Sequence, residues 1–264
     1  MQKFTLFIAA LLMSFSVAGA ELNQRQSSQV VVFVHGAWGG GWDYKNIAAI
    51  LEERGYEVYR PTLTGLGERK HLNGPDVDLN THIDDIVNVL IYEDLQDVIL
   101  VGHSYAGMVI TGVADRVPQR IRHLLYMDAV LPIDGESVFG FMGPERSNAL
   151  KQLATSEGEP WALSPQWENR GKAEPHPIGT YSQPLKLQKE TAVKGTYVLT
   201  VEPDKSTDQF TPFAERAKLK GWRTYELKTG HNPHHTMPHK IIEIIDSIAE
   251  SGDVSIGKPA AENL

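Results

Sequence analysis

The sequence predicts an α/β fold: a mostly parallel six-stranded sheet with helices on both faces and an inserted cap. Three observations carry this. Apolar, β-branched runs recur at Val30–Val34, Val98–Val101, Ile121–Met127 and Thr196–Val201. Amphipathic stretches separate them, so strand and helix alternate along the chain, and that alternation calls for parallel strands covered on both faces. The alternation breaks between Pro132 and Lys194 and then resumes.

The elements follow in order. Val30–Val34 runs into the glycine-rich stretch His35-Gly36-Ala37-Trp38-Gly39-Gly40-Gly41. This lacks the Lys-Ser/Thr ending of a phosphate loop. Its glycines instead free backbone N–H groups at the strand's C-terminal end. Residues 42–54 read as a helix closed by Gly55, and 57–60 as a short strand stopped by Pro61. A polar loop spans 62–72. A helix is expected over 81–93, with Thr81 and Asp84 as a capping box and Ile83, Ile86, Val87, Leu90 and Ile91 as its apolar stripe. After the fourth strand at 121–127, residues 132–194 carry clustered prolines and scattered large apolar residues. A structureless loop of that length is improbable in a compact domain, so the stretch reads as a cap over the sheet's C-terminal edge. Strands at 196–201 and 223–227, with helices at 210–220 and 241–249, complete the set, and residues from Ser251 read as a frayed tail.

The chain has 264 residues, a formal net charge of −8 and no cysteine. The charge and the lack of a basic run argue against a nucleic-acid or anionic-membrane partner. The missing cysteines exclude disulfides and a thiolate nucleophile. Lys3, the apolar run Phe4–Val17 and Ala18-Gly19-Ala20 form a secretory signal peptide with cleavage expected after Ala20. The run is short for a membrane span, so no stable membrane anchor is expected. The organisation is then 1–20 signal peptide, 21–131 and 195–264 core, and 132–194 cap, in a periplasmic or secreted protein.

The chemistry centres on Gly102-His103-Ser104-Tyr105-Ala106-Gly107, between an apolar strand and an apolar helix. This is the strand–turn–helix context of a nucleophile elbow, with Ala106 in place of the second glycine of G-x-S-x-G. A serine hydroxyl needs a base, and the base an orienting carboxylate. The expected chain order is Ser, acid, His. Asp204, just past one late strand, and His231, just past the next, supply it; His234 and His235 are rival bases. Asp128 directly follows the strand at 121–127 and is the alternative acid; Asp208 is a third candidate. Tyr105 N–H and Ala37 N–H are the expected oxyanion donors, and His35 is expected to brace the first loop. His231, His234, His235 and His239 cluster, but Pro233 and Pro238 interrupt the helix that a paired-histidine metal site needs. No metal or cofactor is expected.

Val32–Trp38, Pro61–Arg69, Gly102–Gly107 and Val201–Lys205 together resemble the α/β-hydrolases. Within these, the chain is similar to the hydroxynitrile lyase/plant methylesterase-like branch, especially its bacterial carboxylesterases, some of which cleave pyrethroid esters. The resemblance covers nearly all the chain after the leader and is weakest in the cap. It implies the α/β-hydrolase fold without its first two strands, a Ser104–Asp204–His231 triad, and Ala37 and Tyr105 amides at the oxyanion. It also implies an apolar pocket, with Trp38, Phe139, Trp161 and Trp167 as candidate lining. The lyases of the branch carry threonine after the first-loop histidine and lysine after the catalytic one. Gly36 and Asn232 stand there in this chain, which favours ester hydrolysis over cyanohydrin cleavage. The expected function is a serine carboxylesterase acting on small to medium, largely apolar esters through an acyl-enzyme. Lactone, amide or C–C bond cleavage by the same residues is the enzymatic alternative, and a ligand-binding module on a hydrolase scaffold the non-enzymatic one. The expected partners are a small-molecule ester and, for a homodimer, a second copy of the chain.

Overall fold

The computed structural model describes residues 28–251 apart from 158, 168–170 and 190. The expected signal peptide and nearly all of the tail from Ser251 lie outside the described residues. The main sheet holds six parallel strands: β1 (Val30–Val34), β2 (Glu57–Tyr59), β3 (Val98–His103), β4 (Ile121–Met127), β7 (Gly195–Thr200) and β8 (Arg223–Leu227). Their spatial order is β2-β1-β3-β4-β7-β8. Two short strands, β5 (Ala162–Leu163) and β6 (His176–Pro177), form a separate antiparallel ribbon.

Both faces of the sheet are buried, which is why its central strands read as continuous apolar runs rather than as alternating ones. Val30, Val32, Val34, Leu100, Tyr126 and Tyr197 point to one side. There they meet α2 (Leu79–Tyr92), α3 (Ala106–Arg116) and α6 (Thr211–Leu219) through residues such as Ile86, Met108 and Phe213. Val31, Phe33, Ile99, Leu125 and Val198 point to the other side, against α1 (Lys45–Glu53) and α7 (Pro238–Glu250), where Ile47, Leu51, Ile241 and Ile245 meet them.

Helix α2 begins earlier than expected. Its N-cap is Asp78, whose side chain accepts Thr81 N–H at 2.9 Å, while Thr81 Oγ1 reaches back to Asp78 N–H at 3.4 Å. Thr81 therefore closes the capping box instead of opening it, and Asp84 pairs with Arg116 on α3. Asp78→Ala should lower stability by about 1 kcal/mol, read as a shifted denaturant midpoint at unchanged slope.

Between β4 and β7 lie α4 (Val138–Ser156), the β5–β6 ribbon and α5 (Gly179–Ser182). Helix α4 is kinked at Gly143, with φ 77°, just before Pro144. The segment is tied to the sheet layer by Arg216 of α6, which binds both carboxylate oxygens of Glu136 at 2.6 and 2.9 Å. Among the described residues, no helix is long and apolar enough to cross a membrane.

Candidate active site

Strand β3 ends at His103, and Ser104 turns the chain with φ 55° before α3 begins at Ala106. A left-handed serine is strained, and the neighbours hold it there. Ser104 N–H donates to the Met127 carbonyl at 3.3 Å, and its own carbonyl accepts Val130 N–H at 3.0 Å. The turn needs two glycines. A Cβ on Gly102 would lie 2.8 Å from Ile110 Cδ1, and one on Gly107 only 1.7 Å from the Val130 carbonyl oxygen. Gly107, not position 106, is where the backbones cross, which explains why alanine is accepted at 106.

Three side chains form a hydrogen-bonded line. His231 Nε2 lies 2.9 Å from Ser104 Oγ, and His231 Nδ1 lies 2.6 Å from Asp128 Oδ2. Asp128 is fully buried, and its second oxygen, Oδ1, accepts Thr200 N–H at 2.8 Å. Because an ionised carboxylate only accepts, His231 carries its proton on Nδ1 and turns the Nε2 lone pair toward the serine. The imidazole is held further by a parallel stack with Phe210, at 5.0 Å and 7°, and by His103 Nε2, which lies 2.8 Å from the His231 carbonyl.

The acid expected from chain order is corrected by this geometry: Asp128, and not Asp204, partners His231. Asp128 follows β4 with no intervening residue and turns inward with φ 46°. Asp204 lies four positions past the end of β7, within an exposed stretch from Glu202 to Ser206. Asp208 is not at the imidazole either; it accepts Phe210 N–H at 3.0 Å ahead of α6.

The first loop is braced from within. Leu63 N–H donates to His35 Nε2 at 3.0 Å, so His35 Nδ1–H donates to the Gly36 carbonyl at 2.8 Å. Ala37 lies on this loop, and both Ala37 and Ser104 line one cavity of about 390 Å³ with Trp38, Trp42, Trp167, Asp43, His231 and His235. A second cavity, about 300 Å³, shares Trp38, Ser104 and His231 with the first. It extends under α4 between Val138, Phe141, Met142, Tyr181, Phe210 and Phe213, with Arg146 and Gln209 as its polar members. A cavity of about 530 Å³ opens at the N-terminal ends of β4 and β7, around His123, Gly195 and Trp222, away from this edge. Of the four expected lining residues, Trp38 and Trp167 lie at the site. Phe139 and Trp161 line neither chamber: Phe139 is buried against Tyr181, and Trp161 caps the ribbon, its carbonyl accepting Ile178 N–H at 2.7 Å.

Of the rival histidines, His234 and His235 turn to Asp43 instead. Their Nε2 atoms lie 3.2 and 2.7 Å from its two oxygens. Burial pushes the Asp43 carboxyl up, but the hydrogen bonds and charge of His234, then His235, outweigh it and hold the group below the usual carboxylate range. The three ligand atoms lie within 4.8 Å of one another, close enough for a cation. As the site stands, the two ring N–H groups satisfy the carboxylate. Buried His234 Nδ1 has no hydrogen-bond partner among the described residues, so the outer-sphere acceptor usual for a ligating histidine is missing.

Comparison with known proteins matches this architecture. The model of the Alpha/beta hydrolase family matches residues 31–244. A carbendazim hydrolyzing esterase from Nocardioides sp. (strain SG-4G) is 40% identical over 238 residues, covering 80% of this chain and 96% of its own. A pyrethroid hydrolase from Sphingobium wenxiniae is 32% identical over 146 residues, covering 53% of this chain and 48% of its own. Among solved structures, an extracellular alpha/beta-hydrolase from a Paenibacillus species superposes with a TM-score of 0.73 at 26% identity, covering 83% of this chain and 98% of its own.

Proposed function

The chain belongs to the alpha/beta hydrolase family, and we propose that within it the protein is a serine carboxylesterase acting through an acyl-enzyme. The observation that carries this reading is the line Ser104–His231–Asp128, with hydrogen bonds of 2.9 and 2.6 Å. Ser104 Oγ attacks the ester carbonyl as His231 Nε2 takes its proton. The imidazolium that forms is stabilised by Asp128 and then protonates the departing alkoxide. The amides of Ala37 and Tyr105 receive the oxyanion of the tetrahedral intermediate. Water, deprotonated by the same imidazole, releases the acid. These steps need no cofactor. The esterase and pyrethroid-hydrolase relatives support ester chemistry on small, largely apolar molecules. The apolar chamber beneath α4 suits such a group.

Cyanohydrin cleavage fits the site less well. A Cβ at Gly36 would already lie 3.0 Å from His103 Nδ1 and 3.2 Å from Ser104 Cβ, so a threonine there would crowd the nucleophile. Export behind the expected leader, with cleavage after Ala20, forms part of the proposal and is supported by an extracellular structural relative. A fluorophosphonate probe should label the protein stoichiometrically, with the adduct on a peptide containing Ser104 by mass spectrometry. p-Nitrophenyl acetate should be hydrolysed by the unlabelled protein alone. Labelling elsewhere, or undiminished turnover after labelling, would rule the reading out.

A further inference from the structure

The cap grips the first loop at one residue. Trp38, next to the amide assigned to the oxyanion, has φ 63°, a left-handed conformation that a tryptophan holds only under constraint. Three hydrogen bonds supply the constraint, all from residues 163–176. Trp38 N–H donates to His176 Nδ1 at 3.4 Å. The indole Nε1–H donates to the Leu163 carbonyl at 2.6 Å. The Trp38 carbonyl accepts Glu174 N–H at 3.0 Å. Leu163 and His176 are paired across the β5–β6 ribbon, so one small unit holds both the main chain and the side chain of Trp38.

The proton positions on His176 are set by its other partner. Thr180 Oγ1 donates to the Pro177 carbonyl at 2.8 Å, so toward His176 Nε2, also at 2.8 Å, it accepts. Nε2 therefore carries the proton, and Nδ1 offers a lone pair to Trp38. The ring is fully buried, and burial holds its pKa well below the ordinary histidine value, which keeps it neutral.

We propose that His176 is a positioning residue for the oxyanion hole: its Nδ1 lone pair fixes the Ala37–Trp38 peptide plane on one side of the Ala37 Cα, while His35 holds the Gly36 carbonyl of the peptide that carries the Ala37 N–H on the other, so the aim of that N–H depends on the cap ribbon being seated as well as on His35. The proposal rests on the esterase reading above. It differs from a packing role because it depends on an acceptor at one atom. His176→Phe keeps a ring and removes the acceptor. His176→Asn places Oδ1 where Nδ1 stands. Loss of a whole oxyanion donor costs roughly 10²–10³ in kcat. A misaimed donor should cost less, about 10- to 100-fold in His176→Phe, with KM within about threefold. His176→Asn should recover most of kcat. Amide exchange at Trp38, whose N–H the Nδ1 lone pair accepts, should quicken in the Phe variant and not in the Asn variant. His176→Gln, whose amide falls at the Nε2 position, replaces Phe if that variant does not fold.

The outcomes separate cleanly. Unchanged kcat in His176→Phe, or an Asn variant as impaired as Phe, would overturn the positioning role and leave the esterase assignment standing. If the unaltered protein hydrolyses no ester and Ser104 resists phosphonylation, the esterase assignment fails and the positioning role fails with it. Amide exchange then still decides whether the ribbon clamps the loop.

Discussion

Asp128→Asn is expected to lower kcat for p-nitrophenyl esters by roughly 10³–10⁴-fold, the scale seen when the same change is made in a serine protease triad. Asp204→Asn should stay within about twofold. The physical reason is tautomer selection. Asp128 Oδ2 accepts the proton of His231 Nδ1, which leaves Nε2 free to take the serine proton. An amide presenting its NH₂ at that position favours the opposite tautomer, in which Nε2 carries hydrogen and cannot act as base. Asparagine can keep its carbonyl at the Oδ1 position, so the bond from Thr200 N–H survives and the fold should persist. The measurement is kcat beside thermal denaturation for both variants. Equal losses at 128 and 204, or a loss only at 204, would return the acid to the loop after β7.

Stability should fall steeply as the pH drops through 6.5, well before carboxylates titrate. Five buried histidines drive this. Burial lowers the pKa of His35, His103, His176 and His234 and brings that of His82 down to about 4. In the unfolded chain each binds a proton near pH 6.5. The native state binds fewer protons just below that pH, so stability is complete above 6.5 and is lost as pH falls toward the lower native values. Each such group contributes on the order of 1 kcal/mol per pH unit. Together they should remove several kcal/mol, roughly a large part of a typical domain's stability, between pH 7 and pH 5. Urea midpoints measured at half-unit intervals check this. A profile flat down to pH 5 would mean that these rings are protonated in the native protein.

Much of the molecule is legible in the sequence. The four central strands stand out because burial on both faces leaves them largely apolar, while the edge strands at 57–59 and 223–227 show only as short runs with polar residues between apolar ones. Ser104 stood out because a strand and a helix flank a run of small residues. Asp128 and Asp204 were harder to tell apart, since both follow strands and both precede His231. What separates them is turn length, none against three intervening residues, and whether the turn packs inward; neither is a property of residue type. The shift of the α2 capping box has a similar origin, because Thr81 suits either end of that motif. The cap was legible only as an interruption. Its strands are two residues long, too short for any period, and Gly143–Pro144 breaks the helical one. Nothing in the sequence marks His176 or Phe210, whose roles come from contacts across the fold.

The move of the carboxylate from the sheet's late strands to β4 changes what the rest of the chain is free to do. The nucleophile and its acid now come from adjacent strands only 24 positions apart, so the segment from Glu202 to Ser206 is released from any part in proton transfer. Exposed and without a reacting group, it is a point at which the polypeptide can be lengthened, shortened or spliced to another protein without disturbing the chemistry.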